Sequence, residues 1–227
     1  MANHTMTVSE QRFEEYCANR GYRFTRIELP TSAGRRPDYR LHLPAGDTIC
    51  EVKQIESGAW EKEVDERLAK HGRSDFSRSI GTRARALIAN AAPQLRNFKS
   101  ENRPCIIVAM DLTWHDHLSY YDLDAAMFGQ PLVRFYLNGK PDDDPRSEFG
   151  HGGSRQMTED SRIYVSALCV LHKQDLKVTI YHNPFAAQPL YPYFFPHEDD
   201  RHFFKDGHPE TAGHLWMEYT GPRTKPA

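Results

Sequence analysis

Residues Pro104-Cys105-Ile106-Ile107-Val108-Ala109-Met110 form a near-continuous apolar run. A strand without polar alternation has to be covered on both faces, so it belongs inside a sheet that carries packed layers on each side. Helical spacing precedes it: Ala84, Leu87, Ile88, Ala91, Leu95 and Phe98 recur at intervals suited to one helix face. That helix supplies the crossover into a central strand. Pro93 sits inside the pattern and is expected to kink or split the helix near Ala92. The apolar run is far shorter than the ~20 residues of a membrane span.

The remaining elements fit around this strand. Ser9 is placed to cap a helix running to about Arg20, with Phe13, Tyr16 and Cys17 on one face and Gly21 ending it. Tyr22–Leu29 reads as a strand and Pro30–Arg36 as a loop. Asp38–Leu43 and Asp47–Gln54 flank Pro44-Ala45-Gly46, a hairpin signal. Residues 56–80 are highly charged and read as an inserted helix and loop. From 114 to 160 little pattern survives, which predicts a long loop with a short helix around Asp122–Phe128. Ile163–Leu171 and Leu176–Tyr181 read as a second hairpin turning near His172–Asp175. The aromatic, Pro-rich tail from Asn183 is expected to wrap the surface, with His182 or Asn183 tying down its start.

This order predicts an α/β (α+β) fold: a central mixed sheet flanked by helices, with a C-terminal hairpin extension. At 227 residues the chain is expected to form one domain. Residues 1–111 would be its core, 112–161 an irregular insertion, and 162–227 the hairpin and tail.

Cys17, Cys50, Cys105 and Cys169 lie far apart among apolar neighbours and read as buried free thiols, not as a disulfide or zinc framework. With no basic-then-apolar leader at Met1-Ala2-Asn3-His4, a cytoplasmic location is expected. Neither a G-x-S-x-G elbow nor a G-x-x-x-x-G-K phosphate loop occurs, which argues against serine hydrolase and nucleotide-hydrolysing classes. His115, His117, His197, His202, His208 and His214 lack short metal-ligand spacing and read as surface and aromatic-packing residues.

The chemistry concentrates at Pro37-Asp38 and Glu51-Val52-Lys53. A hairpin turning at Pro44-Ala45 pairs residues whose numbers sum to 89, which sets Asp38 across from Glu51. Facing Cβ atoms lie about 4.5–5.5 Å apart. Glu51 and Lys53 project from one face of the strand, Cys50 and Val52 from the other. Two carboxylates so close repel unless one holds a proton or both share a cation. A hard divalent ion, Mg²⁺ or Mn²⁺, resolves the conflict, and the Lys53 ammonium can offset an anionic transition state.

This pattern resembles the PD-(D/E)xK nuclease superfamily, the restriction-endonuclease-like fold that includes Holliday-junction-resolvase-type members. The resemblance implies Asp38 and Glu51 as metal ligands, the Val52 carbonyl as a further ligand, and Lys53 as the residue that orients or activates water. It also implies a glutamate from the first helix, which Glu10 fits, with Glu14 as competitor. By helical angle Glu10 falls about 70° from the centre of the apolar face, Glu14 about 110° and Glu15 about 150°. Gln94-Leu95, ahead of the apolar strand, matches the Gln-Leu pair that many members carry. The implied activity is Mg²⁺-dependent phosphodiester hydrolysis. The alternative is a catalytically inactive nucleic-acid- or protein-binding module on the same fold.

Net charge is −2, yet Arg67–Arg103 holds nine Lys/Arg against two acids, a local excess of +7. Such a run can face phosphates, and Arg78, Arg83 and Arg85 are the candidate nucleic-acid contacts. A solvated helical face is the alternative. The expected partner is nucleic acid, DNA before RNA, with no membrane and room for a homodimer.

Overall fold

The computed structural model describes residues 6–27, 36–75, 77–136, 146–205 and 216–225. The proposed 30–36 loop (apart from Arg36), His208 and His214 lie outside them. The architecture is α+β: a mixed eight-stranded sheet with helices packed against it.

Helix α1 (Val8–Asn19) leads into β1 (Arg23–Arg26), β2 (Tyr39–Leu43) and β3 (Gly46–Ile55). Then come α2 (Ala59–His71), α3 (Thr82–Leu95) and β4 (Cys105–Asp111). After α4 (Tyr120–Met127) and the pair β5 (Pro131–Tyr136) and β6 (Arg146–His151), the chain returns as β7 (Ala167–Leu171) and β8 (Val178–His182). Two late strands, β9 (Arg201–Lys205) and β10 (Trp216–Glu218), complete the sheet. Its order is β1-β2-β3-β4-β7-β8-β9-β10, and β5–β6 forms a separate two-stranded ribbon.

Strand β4 runs parallel to both β3 and β7. Its residues alternate between two buried layers, which is why its sequence shows no polar period. Ile106, Val108 and Met110 join Phe13, Tyr16 and Cys17 of α1 on one face. Cys105, Ile107 and Ala109 join Leu87, Ile88, Ala91 and Leu95 of α3 on the other. The β2–β3 hairpin turns at Pro44-Ala45 and pairs Tyr39 with Cys50 and Leu43 with Gly46, so the 89 register holds. All four cysteines are buried and unbridged.

Five expectations are corrected. The cap of α1 is Thr7, not Ser9: Thr7 accepts from the Glu10 N–H while the Glu10 carboxylate accepts from the Thr7 N–H. Ser9 instead lies within the helix, its N–H donating to Gln54 Oε1 at 3.0 Å. Pro93 does not split α3, which continues to Leu95 before tightening into a 3₁₀ segment. Near a helix end proline removes one intrahelical bond, and the buried apolar stripe holds the rest. The 114–160 stretch contains the β5–β6 ribbon besides its helix. The tail does not merely wrap the surface, since β9 pairs parallel with β8 and β10 antiparallel with β9. Finally, β7 begins at Ala167 rather than Ile163. The loop before it is tied by Asn183, whose Nδ2 donates to the Val165 carbonyl at 2.7 Å.

None of the described helices is long and apolar enough to cross a membrane.

Candidate active site

The β2–β3 ladder runs to Tyr39 paired with Cys50, one residue short of Asp38 and Glu51, and the carboxyls of those two next residues lie close enough to interact. Backbone bonds hold Asp38 at the start of β2: its N–H donates to the Cys50 carbonyl at 3.1 Å, and its carbonyl accepts from Ile27 at 2.9 Å. Asp38 Oδ2 accepts from the Val52 N–H at 2.8 Å. Glu51 is fully buried. Its Oε1 receives both the Lys53 ammonium and the Gln94 amide, whereas Oε2 has no hydrogen-bond partner. Burial, then the neighbouring Asp38 charge, pushes the Glu51 carboxyl up to about 8. Burial also raises Asp38, against the opposing pull of the Val52 N–H and Lys53.

A cavity of about 300 Å³ opens beside this pair, lined by Glu10, Arg26, Pro37, Asp38, Lys53 and Gln94 among others. Glu51 does not line it; Lys53 and Gln94 both line it and both reach Glu51 at one oxygen. Glu10 faces the cavity from the first turn of α1, where its Oε2 also accepts from Thr7 Oγ1 at 2.7 Å. Glu14 is occupied elsewhere, taking Arg26 and the Tyr39 hydroxyl. Glu15 pairs with Arg12 on the surface. The helical-angle argument therefore selects the glutamate that reaches the cavity.

The sequence reading missed Arg26. Its Nε and Nη2 both donate to Glu14 Oε1, at 2.8 and 2.5 Å, and its guanidinium lies 5.6 Å from the Tyr39 ring centroid. One edge of the fork is thus clamped, and the side chain lines the cavity. No linear motif reports this, because Glu14, Arg26 and Tyr39 meet only when α1, β1 and β2 pack.

The three candidate nucleic-acid arginines lie elsewhere. Arg78 grips Asp122 with both nitrogens, at 2.5 and 2.9 Å. Arg85 donates to the carbonyls of Ala125 at 3.0 Å and Ile80 at 3.1 Å. Arg83 donates to the Glu56 carbonyl and stands 3.6 Å from Glu61. These bonds join α3 to α4 and to the start of α2. Neither a phosphate track nor a solvated face describes them.

Of the histidines read as surface and aromatic-packing residues, three are internal and pack on rings. His115 and His117 are buried between α2 and the loop after β4, where His117 Nε2 stands 3.2 Å from Glu61 and His115 stacks on Trp114. His202 is buried against His182, with a 3.0 Å nitrogen–nitrogen contact.

A second cavity of about 500 Å³ lies at the ends of β4 and β7. Its Asp111 is occupied by Thr113 and the His117 N–H.

Among the described residues no group of three or more His, Cys, Asp or Glu side chains comes together to hold a metal ion. Two carboxylates without a third are nonetheless a sufficient protein share for Mg²⁺, which keeps several waters and takes further oxygens from substrate phosphate. The unpartnered Glu51 Oε2 and the proton-retaining pair fit such an ion. Comparison with protein-family models, curated proteins and solved structures returns no match.

Proposed function

We propose that the chain is a Mg²⁺-dependent nuclease of the restriction-endonuclease-like kind, hydrolysing phosphodiester bonds of nucleic acid. The observation that carries this reading is the close Asp38–Glu51 pair, with the buried Glu51 carboxyl pushed up to about 8 and Asp38 also raised, beside a cavity that presents Lys53, Gln94 and Arg26. A purely structural pair has no reason to keep two acids facing each other in a strand pair, where acids are depleted.

Asp38 and Glu51 would hold the ion, with the Val52 carbonyl as a further ligand. When bound, Mg²⁺ lowers the pKa of a water and screens the scissile phosphate. The Val52 N–H keeps Asp38 in one orientation, and the Gln94 amide does the same for Glu51. Lys53, released from Glu51, offsets the negative charge that develops on the phosphate oxygens. Arg26 offers the phosphate the fork edge that Glu14 leaves open.

Asp38→Ala is expected to abolish Mn²⁺-dependent cleavage of single- and double-stranded substrates by at least about 100-fold, with an unchanged circular dichroism spectrum. Lys53→Met should bind Mn²⁺ in calorimetry yet lose cleavage. An Asp38→Ala protein that cuts as fast as the parent overturns the assignment. A parent that binds no divalent ion is instead the non-catalytic binding module.

A further inference from the structure

Helix α2 is polar on almost every side. Only Glu61 and Val64 are buried, and both lie in its first half. Trp60, Glu61 and Asp65 fasten that half, against His115, against His117 and Arg83, and against Trp114. The second half stands free of the body. A helix with so little apolar face needs either many internal charge pairs or a partner. Among the described residues α2 has no such pairs at its far end.

That end holds three cations of the charge run that are not used internally, Arg67, Lys70 and Arg73, together with His71. Arg67, Lys70, His71 and Arg73 are exposed. None makes an ion pair or hydrogen bond among the described residues, in contrast to Arg78, Arg83 and Arg85. Arg67, His71 and Arg73 line a cleft of about 390 Å³ with Ser74 and one acid, Asp75. The Ser74 hydroxyl is inaccessible to solvent and has no hydrogen-bond partner. Unlike a random scatter of surface charge, this cleft combines two unpaired guanidinium forks and an imidazole against a single acid.

We infer that this cleft binds a backbone phosphate of nucleic acid, as a second anchor for the substrate of the nuclease reading on which this inference rests. Two arginine forks suit a tetrahedral anion with several acceptor oxygens. The helix rises about 18 Å from its start, close after β3, to the cleft. At 3.4 Å per nucleotide along one strand, that span corresponds to about five or six nucleotides.

The test uses the full chain in EDTA, which removes catalysis, and a fluorescein-labelled 20-nucleotide DNA whose anisotropy is followed against salt. Arg67→Gln/Arg73→Gln is expected to lower the log–log salt slope by about 1.4 for a single strand and about 1.8 for a duplex. The charge-matched control Arg96→Gln/Lys99→Gln should leave the slope near that of the parent. A parental slope in the first variant overturns the inference, as does an equal loss in both. So does unchanged DNA binding accompanied by lost sedimentation with phosphatidylserine vesicles, since the cleft would then serve a membrane headgroup. A parent that cleaves with Mn²⁺ while the first variant keeps its slope refutes this site and leaves the nuclease reading intact. A slope loss in a protein that never cleaves does the reverse.

Discussion

At Glu51 a carboxyl with no solvent exposure keeps its proton to about pH 8. A raised folded-state pKa means that the folded protein binds the proton more tightly than the unfolded chain. Its contribution to stability is therefore present at acid pH and is lost as pH rises through about 8. In metal-free protein the parent should lose stability relative to Glu51→Gln between pH 5 and 8, at a slope of up to about 1.4 kcal/mol per pH unit. Chemical denaturation of both proteins across that range checks it, and parallel curves would remove the buried acid from the site. Divalent ions bind the ionised form, so Mn²⁺ should raise the melting temperature more at pH 8 than at pH 6. Glu51 and Asp38 were legible in the sequence because a two-residue turn propagates a register along both strands. Arg26 was not, because its clamp joins three elements far apart in the chain.

In α1 one acid serves two purposes. Glu10 closes the capping box with Thr7 and also faces the cavity. Glutamine can fill the same place in a capping box, so Glu10→Gln separates the two. Cleavage should fall by about tenfold or more while thermal stability changes little, and Glu15→Gln should leave both unchanged. Equal rates in the two variants would confine Glu10 to capping. The α3–α4 contact shows why a charge run is ambiguous. Gly81, at φ +73°, begins α3 where a Cβ would stand 2.9 Å from the Asp122 carbonyl oxygen. That approach sets Asp122 under the Gly81 N–H and beside Arg78. The arginines are spent there on carbonyls and carboxylates that only this packing supplies.

Across the whole molecule, α1 is locked to the C-terminal tail through Asp200. This fully buried carboxylate accepts from the Tyr16 hydroxyl at 2.7 Å and the Val178 N–H at 3.2 Å, with Arg20 3.8 Å away. Burial raises its pKa against those donors. Tyr16→Phe leaves Asp200 short of a donor and should cost about 1–3 kcal/mol, read by urea denaturation, with cleavage per folded molecule unchanged. A loss below about 0.5 kcal/mol would mean that Asp200 finds a substitute donor. What local rules determine was legible in the chain alone: the doubly covered β4, the apolar stripes of α1 and α3, and the hairpin that sets Asp38 against Glu51. Each depends on periodicity or on a turn a few residues long. Tertiary packing alone decided that β9 and β10 extend the sheet, that Pro93 stays within its helix, and which arginines keep an unspent charge. The arginine outcome and the lock on α1 turn on partners more than forty residues away, Asp122 for Arg78 and Asp200 for Tyr16, and no linear pattern encodes them.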